Sequence, residues 1–142
     1  MVMRLMKIFY YVKAFLIVRQ IDKSLKKEGF KQVYHTYLSP PAPLDPLRDI
    51  TEKELKFIEM VLGVVEKVCF LFFGKARCLH RSVASYHIFH KKGIPIDLVI
   101  GVKKKPFTSH AWLEFNGQVI NDSEDFVNDL IHQFHTKEYR KM

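Results

Sequence analysis

Hydrophobic positions in the first twenty residues follow the spacing of an α-helix. The apolar side chains recur at i, i+3, i+4 and i+7, which predicts a helix with one apolar face. We expect that face to pack on the domain or on a partner, with contact to a membrane surface as the alternative. Gly29 is placed to end this helical region. The positions that define the predicted face are Leu5, Ile8, Phe9, Val12, Phe15 and Leu16.

A second helix is predicted after a cluster of prolines. Four prolines in residues 40–46 exclude a helix there and predict an extended connector. We therefore divide the chain into an N-terminal helical segment with this connector, residues 1–48, and a core, residues 49–142. Thr51 and Glu54 form a capping-box pattern. The apolar stripe that follows is Leu55, Ile58, Leu62, Val65, Cys69 and Phe72, so Cys69 is expected to be an inert core thiol.

The second half of the chain changes from a helical to a strand pattern. A helix is predicted from Cys78 to Lys92, followed by β-branched runs. Asn116-Gly117 predicts a hairpin between two of them. A three-residue loop with a bulge at Gly117 would pair Leu113 with Val119 and His110 with Asp122. We favour it over a two-residue loop, which would place Asp122 opposite Ala111.

Composition and charge limit the classes of function. The 142 residues are 48% hydrophobic and 27% charged, which is typical of one globular domain. The formal net charge is +8, but the basic residues are dispersed and no nucleic-acid-binding motif occurs. A solvated basic face, or one that attracts an acidic peptide or anionic lipid, is favoured. The two cysteines form no CxxC motif, so reduced thiols of a cytoplasmic protein are expected.

Three reactive side chains occur in the order Cys78, His110 and Asp122. A thiol in the first turn of a helix has a lowered pKa, because backbone N–H groups and the helix dipole stabilise the thiolate. An imidazole can take and return a proton, and a carboxylate can orient the imidazole. These residues predict cysteine acyl-transfer chemistry, with the Cys78 backbone N–H as a candidate oxyanion donor. Glu124 and Asp125 are rival orienting groups.

The motifs Cys-Leu-x-Arg-Ser at Cys78, Ile-Gly-Val at Ile100 and His-Ala-Trp at His110 carry a family resemblance. From about residue 74 to 127 the chain resembles the transglutaminase-like leader peptidases (B proteins) of lasso-peptide biosynthesis. The resemblance implies an α+β, papain-like fold, in which the helix with the nucleophile packs on a small antiparallel sheet after N-terminal helices. It implies Cys78 as nucleophile, His110 as base and Asp122 as orienting group, with no cofactor.

The resemblance also implies partners. Such enzymes remove the leader from a ribosomal precursor peptide, so that a separate ATP-dependent cyclase can close the ring. Residues 1–73 leave no room for a leader-recognition module, which implies a separate leader-recognition protein that the N-terminal helices are candidates to dock. Another acyl-transfer enzyme of this fold, or a non-catalytic peptide-binding scaffold, remains an alternative. The expected location is the cytoplasm, with peripheral contact at the inner membrane surface as a variant.

Five further residues in or near the motifs can have either a functional or a structural role. Arg81 is a candidate for binding a substrate carboxylate or for an ordinary ion pair. Trp112 is a candidate substrate contact, although a core position is favoured. Three histidines on one side of the helix are expected to be solvated and not to bind a metal, because no carboxylate or thiol joins them. They are His80, His87 and His90.

Overall fold

The chain folds into helices and a four-stranded antiparallel sheet. This is seen in a computed structural model, which describes residues 2–74 and 78–141. The sheet order is β3-β2-β1-β4. The predicted α+β class is confirmed. The α-helices are α1 (Val2–Glu28), α2 (Phe30–Val33), α3 (Glu52–Phe73), α4 (Cys78–Lys91) and α5 (Glu124–Asn128). A π-helix spans Tyr34–Leu38 and a 3-10 helix spans Thr136–Tyr139. The strands are β1 (Asp97–Lys104), β2 (Phe107–Phe115), β3 (Gln118–Val119) and β4 (Ile131–His135). Residues 75–77, between α3 and α4, lie outside the described residues.

The start of α3 follows the predicted capping box. The Thr51 hydroxyl accepts a hydrogen bond from the Glu54 backbone N–H at 3.1 Å, and the Glu54 carboxylate accepts one from the Thr51 N–H at 3.1 Å. These bonds satisfy two backbone donors that a helix start leaves without partners. The middle of the predicted apolar stripe is buried, except for the half-buried Leu62, but its two ends, Leu55 and Phe72, are exposed.

Helix α1 buries the face opposite the predicted one. The residues that enter the core are Tyr10, Ala14, Val18 and Ile21, whereas Phe15 is half-buried and the other five predicted positions are exposed. The expectation that this face packs on the domain was wrong, because both sides of the helix are apolar and spacing alone does not identify the buried side. Its contact with a partner or a membrane surface stays a prediction. Within the described residues, no helix has the length and apolarity needed to cross a bilayer.

The sheet separates two hydrophobic clusters. On one side, α1, α3 and α4 pack against Leu98 and Leu113. On the other side, Val99 and Trp112 pack with Val127 and Leu130. Residues from both sides of the proline-rich connector contribute to the helical cluster. The division of the chain at residues 48 and 49 stays a prediction.

The hairpin between β2 and β3 has a different register from the predicted one. Phe115 pairs with Gln118, and both turn residues have positive φ, 49° at Asn116 and 83° at Gly117. This is a two-residue turn of the kind that Asn-Gly favours. The prediction of a bulged three-residue loop was wrong. Asn116 and Gly117 both adopt the positive φ that a two-residue turn requires, so no bulge is needed to close the hairpin. Strand β3 ends at Val119, but the Ile120 N–H still donates to the Leu113 carbonyl of β2 at 3.0 Å, and the chain bends away after it.

Candidate active site

Cys78 lies at the N-terminal end of α4, beside the edge of β2. Burial alone raises the pKa of its thiol, but a hydrogen bond with His110, a backbone hydrogen bond from Ala111 and nearby positive charge outweigh burial. The pKa of Cys78 therefore lies below its ordinary value. A thiolate in this position is a competent nucleophile at lower pH than an ordinary cysteine.

His110 lies on β2 and contacts both other members of the predicted triad. Its Nε2 forms a hydrogen bond with the Asp122 carboxylate. Because a carboxylate only accepts, Nε2 carries the proton and Nδ1 is the nitrogen left for Cys78. The hydrogen bonds with Cys78 and with Asp122 raise the pKa of His110, against the opposing effect of burial. The imidazole is thereby favoured as a cation next to a thiolate.

Two aromatic rings hold the His110 imidazole in place. Trp112, two residues along the same face of β2, stacks on it at a centroid distance of 6.2 Å. Phe126 of α5 meets it edge-on at 5.0 Å. Such packing limits rotation of the imidazole away from its partners. The sequence analysis did not predict the role of Phe126, because no local sequence pattern indicates that α5 contacts β2.

The Asp122 carboxylate has two further contacts besides its hydrogen bond with His110. Its Oδ2 contacts Arg81 of α4 at 3.4 Å, and its Oδ1 accepts the Ser123 backbone N–H at 2.8 Å. Arg81 also lies 3.9 Å from Glu66 of α3. Among the described residues, Asp122 is the carboxylate that contacts His110, and neither Glu124 nor Asp125 does.

Asn121 explains how Asp122 reaches His110 without strand pairing. Its side-chain oxygen accepts the Leu113 backbone N–H at 2.7 Å, in place of a ladder bond. Its amide donates to the Ser82 hydroxyl at 3.3 Å, and Ser82 in turn donates to the Ala111 carbonyl at 3.1 Å. These bonds fix the bend of the chain at Asn121 to both β2 and α4. Asp122 is therefore not part of a strand, and the side to which its carboxylate points is not set by strand alternation. Sequence reasoning missed this role of Asn121.

An apolar cavity of about 250 Å³ opens beside Cys78 and His110. Phe30 of α2 forms part of its wall, although it lies 48 positions before Cys78 in the sequence. Most of the lining is apolar, so the cavity suits an uncharged side chain of a bound peptide. The other lining residues are Leu79, Ile100, Ser109 and Ala111.

The two residues predicted to contact substrate occupy structural positions. Trp112 is fully buried, and its indole N–H donates to Glu114 at 2.8 Å. Arg81 is engaged with Asp122 and Glu66. Neither residue lines the cavity beside Cys78. Their direct contact with substrate stays a prediction, and their observed contacts are those of residues that position His110 and Asp122.

The remaining candidates are placed away from this centre. Cys69 is buried, as predicted, and burial raises the pKa of its thiol to about 11. The prediction that His80 is solvated was wrong, because His80 is buried and its Nε2 lies 2.9 Å from Asp22 of α1. Within residues 2–74 and 78–141, no group of three or more His, Cys, Asp or Glu side chains is arranged to hold a metal ion.

Gly101→Ala is expected to lower the free energy of unfolding by about 1–3 kcal/mol, because overpacking a filled core forces its neighbours to move. Gly101 pairs with His110 across the sheet. A Cβ at this position would lie 2.7 Å from the Trp112 ring and 2.9 Å from Leu130 Cβ. Urea denaturation measures the change.

The matched control is Gly63→Ala in the middle of α3, where an added Cβ meets nothing within 4 Å. This second substitution is expected to stabilise by up to about 1 kcal/mol through helix propensity. Equal denaturation midpoints for Gly101→Ala and the unmodified protein would contradict the close packing of Gly101 on Trp112.

Comparison with known proteins identifies the family of the chain. A family model described as the transglutaminase-like superfamily matches residues 32–134. The chain is 29% identical over 126 residues to the microcin J25-processing protein McjB of Escherichia coli. That alignment covers 89% of this chain and 53% of McjB, so the chain spans about half the length of this curated relative. No solved structure matches the chain. The predicted resemblance to transglutaminase-like proteins is confirmed.

Proposed function

Because the chain belongs to the transglutaminase-like superfamily, we propose that it is a cysteine peptidase that removes the leader from a lasso-peptide precursor. The observation that carries the proposal is the contact of His110 with both Cys78 and Asp122. The similarity to a processing protein for microcin J25, a lasso peptide, supports the choice of substrate class.

The proposed reaction begins with attack by the Cys78 thiolate on the carbonyl carbon of the scissile peptide bond. The protonated His110 gives its proton to the leaving amine as the C–N bond breaks, which leaves the leader as a thioester on Cys78. His110 then takes a proton from a water molecule, and the resulting hydroxide attacks the thioester. Release of the leader carboxylate returns the sulfur as a thiolate. Asp122 keeps the imidazole oriented and stabilises its charge through both steps.

The surroundings of Cys78 support a position for the substrate. The developing oxyanion is expected to receive a hydrogen bond from the Cys78 backbone N–H at the N-terminal end of α4. The apolar cavity beside Cys78 then receives a side chain adjacent to the scissile bond. Phe30 and Ile100 on its walls favour an uncharged residue there, because burial of a charged side chain without a partner is costly.

We propose that the precursor is presented by a separate leader-recognition protein and that the cleaved core passes to the ATP-dependent cyclase. The proposed place of action is the cytoplasm, where free thiols remain reduced.

The test is incubation of the protein with a precursor peptide and the separate leader-recognition protein, with products identified by mass. A peptidase gives a free core and a leader with a new carboxylate. The masses of these two products add up to that of the precursor plus one water. Transfer of the leader to an added amine instead of water would indicate a transglutaminase-type enzyme. Absence of any cleavage while the precursor binds would identify a peptide-binding scaffold and would overturn the proposal.

A further inference from the structure

The outer surface of α1 carries an unpaired apolar stripe. We define the outer stripe as the five side chains Leu5, Ile8, Phe9, Val12 and Leu16, each between 55% and 67% exposed. It lies opposite the buried face of the helix and extends over about 16 Å, given a rise of 1.5 Å per residue. Isolated exposed apolar residues are common on proteins, but a continuous row over three turns is not.

The charged residues that α1 itself contributes beside the outer stripe are all basic, whereas α3 places Glu59 in the pocket that Arg4 and Lys7 line. Residues 2–21 contain four cations and no Asp or Glu, the first acidic residue being Asp22. Lys13 borders the stripe, and its ammonium lies 5.8 Å from the centroid of the Phe9 ring. On a helical projection, Arg4 lies on the opposite border. The other two cations are Lys7 and Arg19.

The end of α3 extends the same apolar surface. Phe72 is 61% exposed, and its ring contacts Phe15 of α1 at a centroid distance of 5.1 Å. Phe70 and Leu71 beside it are also mainly exposed. Two neighbouring helices therefore expose aromatic and aliphatic side chains together, next to basic groups.

We propose that the outer stripe binds the surface of an anionic lipid bilayer. Apolar side chains that enter the interface, with cations at the level of the headgroups, form the pattern of a helix that lies on a membrane. The absence of acidic residues from the described part of α1 before Asp22 complements the negative potential of anionic lipids. The convex surface of a single helix needs no matching pocket to enter such an interface. This binding does not depend on the proposed peptidase activity.

The experiment is sedimentation of the full chain with vesicles of phosphatidylcholine that contain no phosphatidylglycerol or about 30% of it. We expect binding to the anionic vesicles that exceeds binding to the neutral ones about tenfold, and that falls as salt is raised from about 0.1 M to 0.5 M. Ile8→Glu is expected to weaken binding about tenfold or more, because it removes an inserted side chain and adds a negative charge.

Ile131→Glu on β4 is the matched control. Ile131 is 57% exposed and Ile8 is 55% exposed, so the two variants make the same chemical change at similar exposure. The control is expected to bind vesicles within about twofold of the unmodified protein. Ile131→Glu adds the same negative charge as Ile8→Glu but leaves the outer stripe intact. Equal loss in both variants would reduce the effect to net charge and overturn the role of the stripe.

Failure of the unmodified protein to bind anionic vesicles would also overturn the proposal. Light scattering and capture by the leader-recognition protein then identify the occupant. Self-association that Ile8→Glu abolishes would assign the stripe to a second copy of the chain. Loss of capture in Ile8→Glu alone would assign it to the partner protein.

Discussion

Replacing Cys78 with alanine is expected to lower the rate of precursor cleavage by about 10⁴-fold or more, because removal of the nucleophile abolishes the covalent route. Cys78→Ser is expected to be similarly inactive. A serine hydroxyl has a far higher pKa than a thiol, and the imidazole then has no thiolate beside it. Cleavage is followed by mass with the leader-recognition protein present.

Cys69→Ala is the matched control for the loss of the nucleophile. Cys69 is buried among the residues of the helical core and its thiol has a pKa of about 11. This variant is expected to keep its activity within about twofold and to lose some stability, since a small buried side chain is removed. Cleavage by Cys78→Ala within tenfold of the unmodified protein would remove Cys78 from the mechanism.

Replacing Asp122 with asparagine is expected to lower cleavage by about 10³–10⁴-fold while the fold is kept. The carboxylate accepts from His110 Nε2, and this bond leaves Nδ1 for Cys78. An amide of the same shape brings no charge and presents a donor as well as an acceptor, so the imidazole loses its preferred tautomer and its cation is less stable. The loss should appear mainly in kcat.

Asp125→Asn provides the comparison for Asp122→Asn. Asp125 lies on α5 three residues further on and does not contact His110 among the described residues. Its substitution is expected to change activity by less than about twofold, as for an exposed surface position. An equal loss in both variants, or full activity of Asp122→Asn, would show that another group orients His110.

Local patterns predicted those elements whose signals are strong and near in sequence. The capping box at Thr51 and the presence of a hairpin at Asn116-Gly117 each depend on side chains within a few positions. The register of that hairpin was predicted wrongly. The start of α4 at Cys78 and the contact of His110 with Asp122 were also predicted, although the strand pairing that was expected to produce this contact does not occur. Their catalytic roles stay a proposal.

Long-range contacts explain what the sequence did not predict. Asp122 reaches His110 because Asn121 replaces a strand hydrogen bond, and no periodic pattern predicts that substitution. His80 is buried because Asp22, 58 positions earlier, pairs with it. The wall of the cavity at Phe30 depends on how α2 packs beside α4. Each case joins segments that are separate in the chain, where spacing carries no information.

The face of α1 illustrates a different limit. Both sides of the helix are apolar, and the buried side contains Ala14, whose small side chain permits close packing against its neighbours. The more conspicuous stripe of larger side chains lies outside. Hydrophobicity alone therefore predicted the wrong side of α1 to be buried. Close packing between the helices determines which side is buried.

The central claim is that His110 activates Cys78, and the rate of alkylation by iodoacetamide at about pH 6 tests it most directly. The thiolate fraction falls as pH drops below a thiol's pKa, which is lowered for Cys78 and about 11 for Cys69. We expect alkylation of Cys78 at least about 100-fold faster than that of Cys69. His110→Ala is expected to slow it about tenfold, because the hydrogen bond from the imidazole is lost. Equally slow labelling of both cysteines, or a rate at Cys78 that His110→Ala leaves unchanged, would contradict the claim.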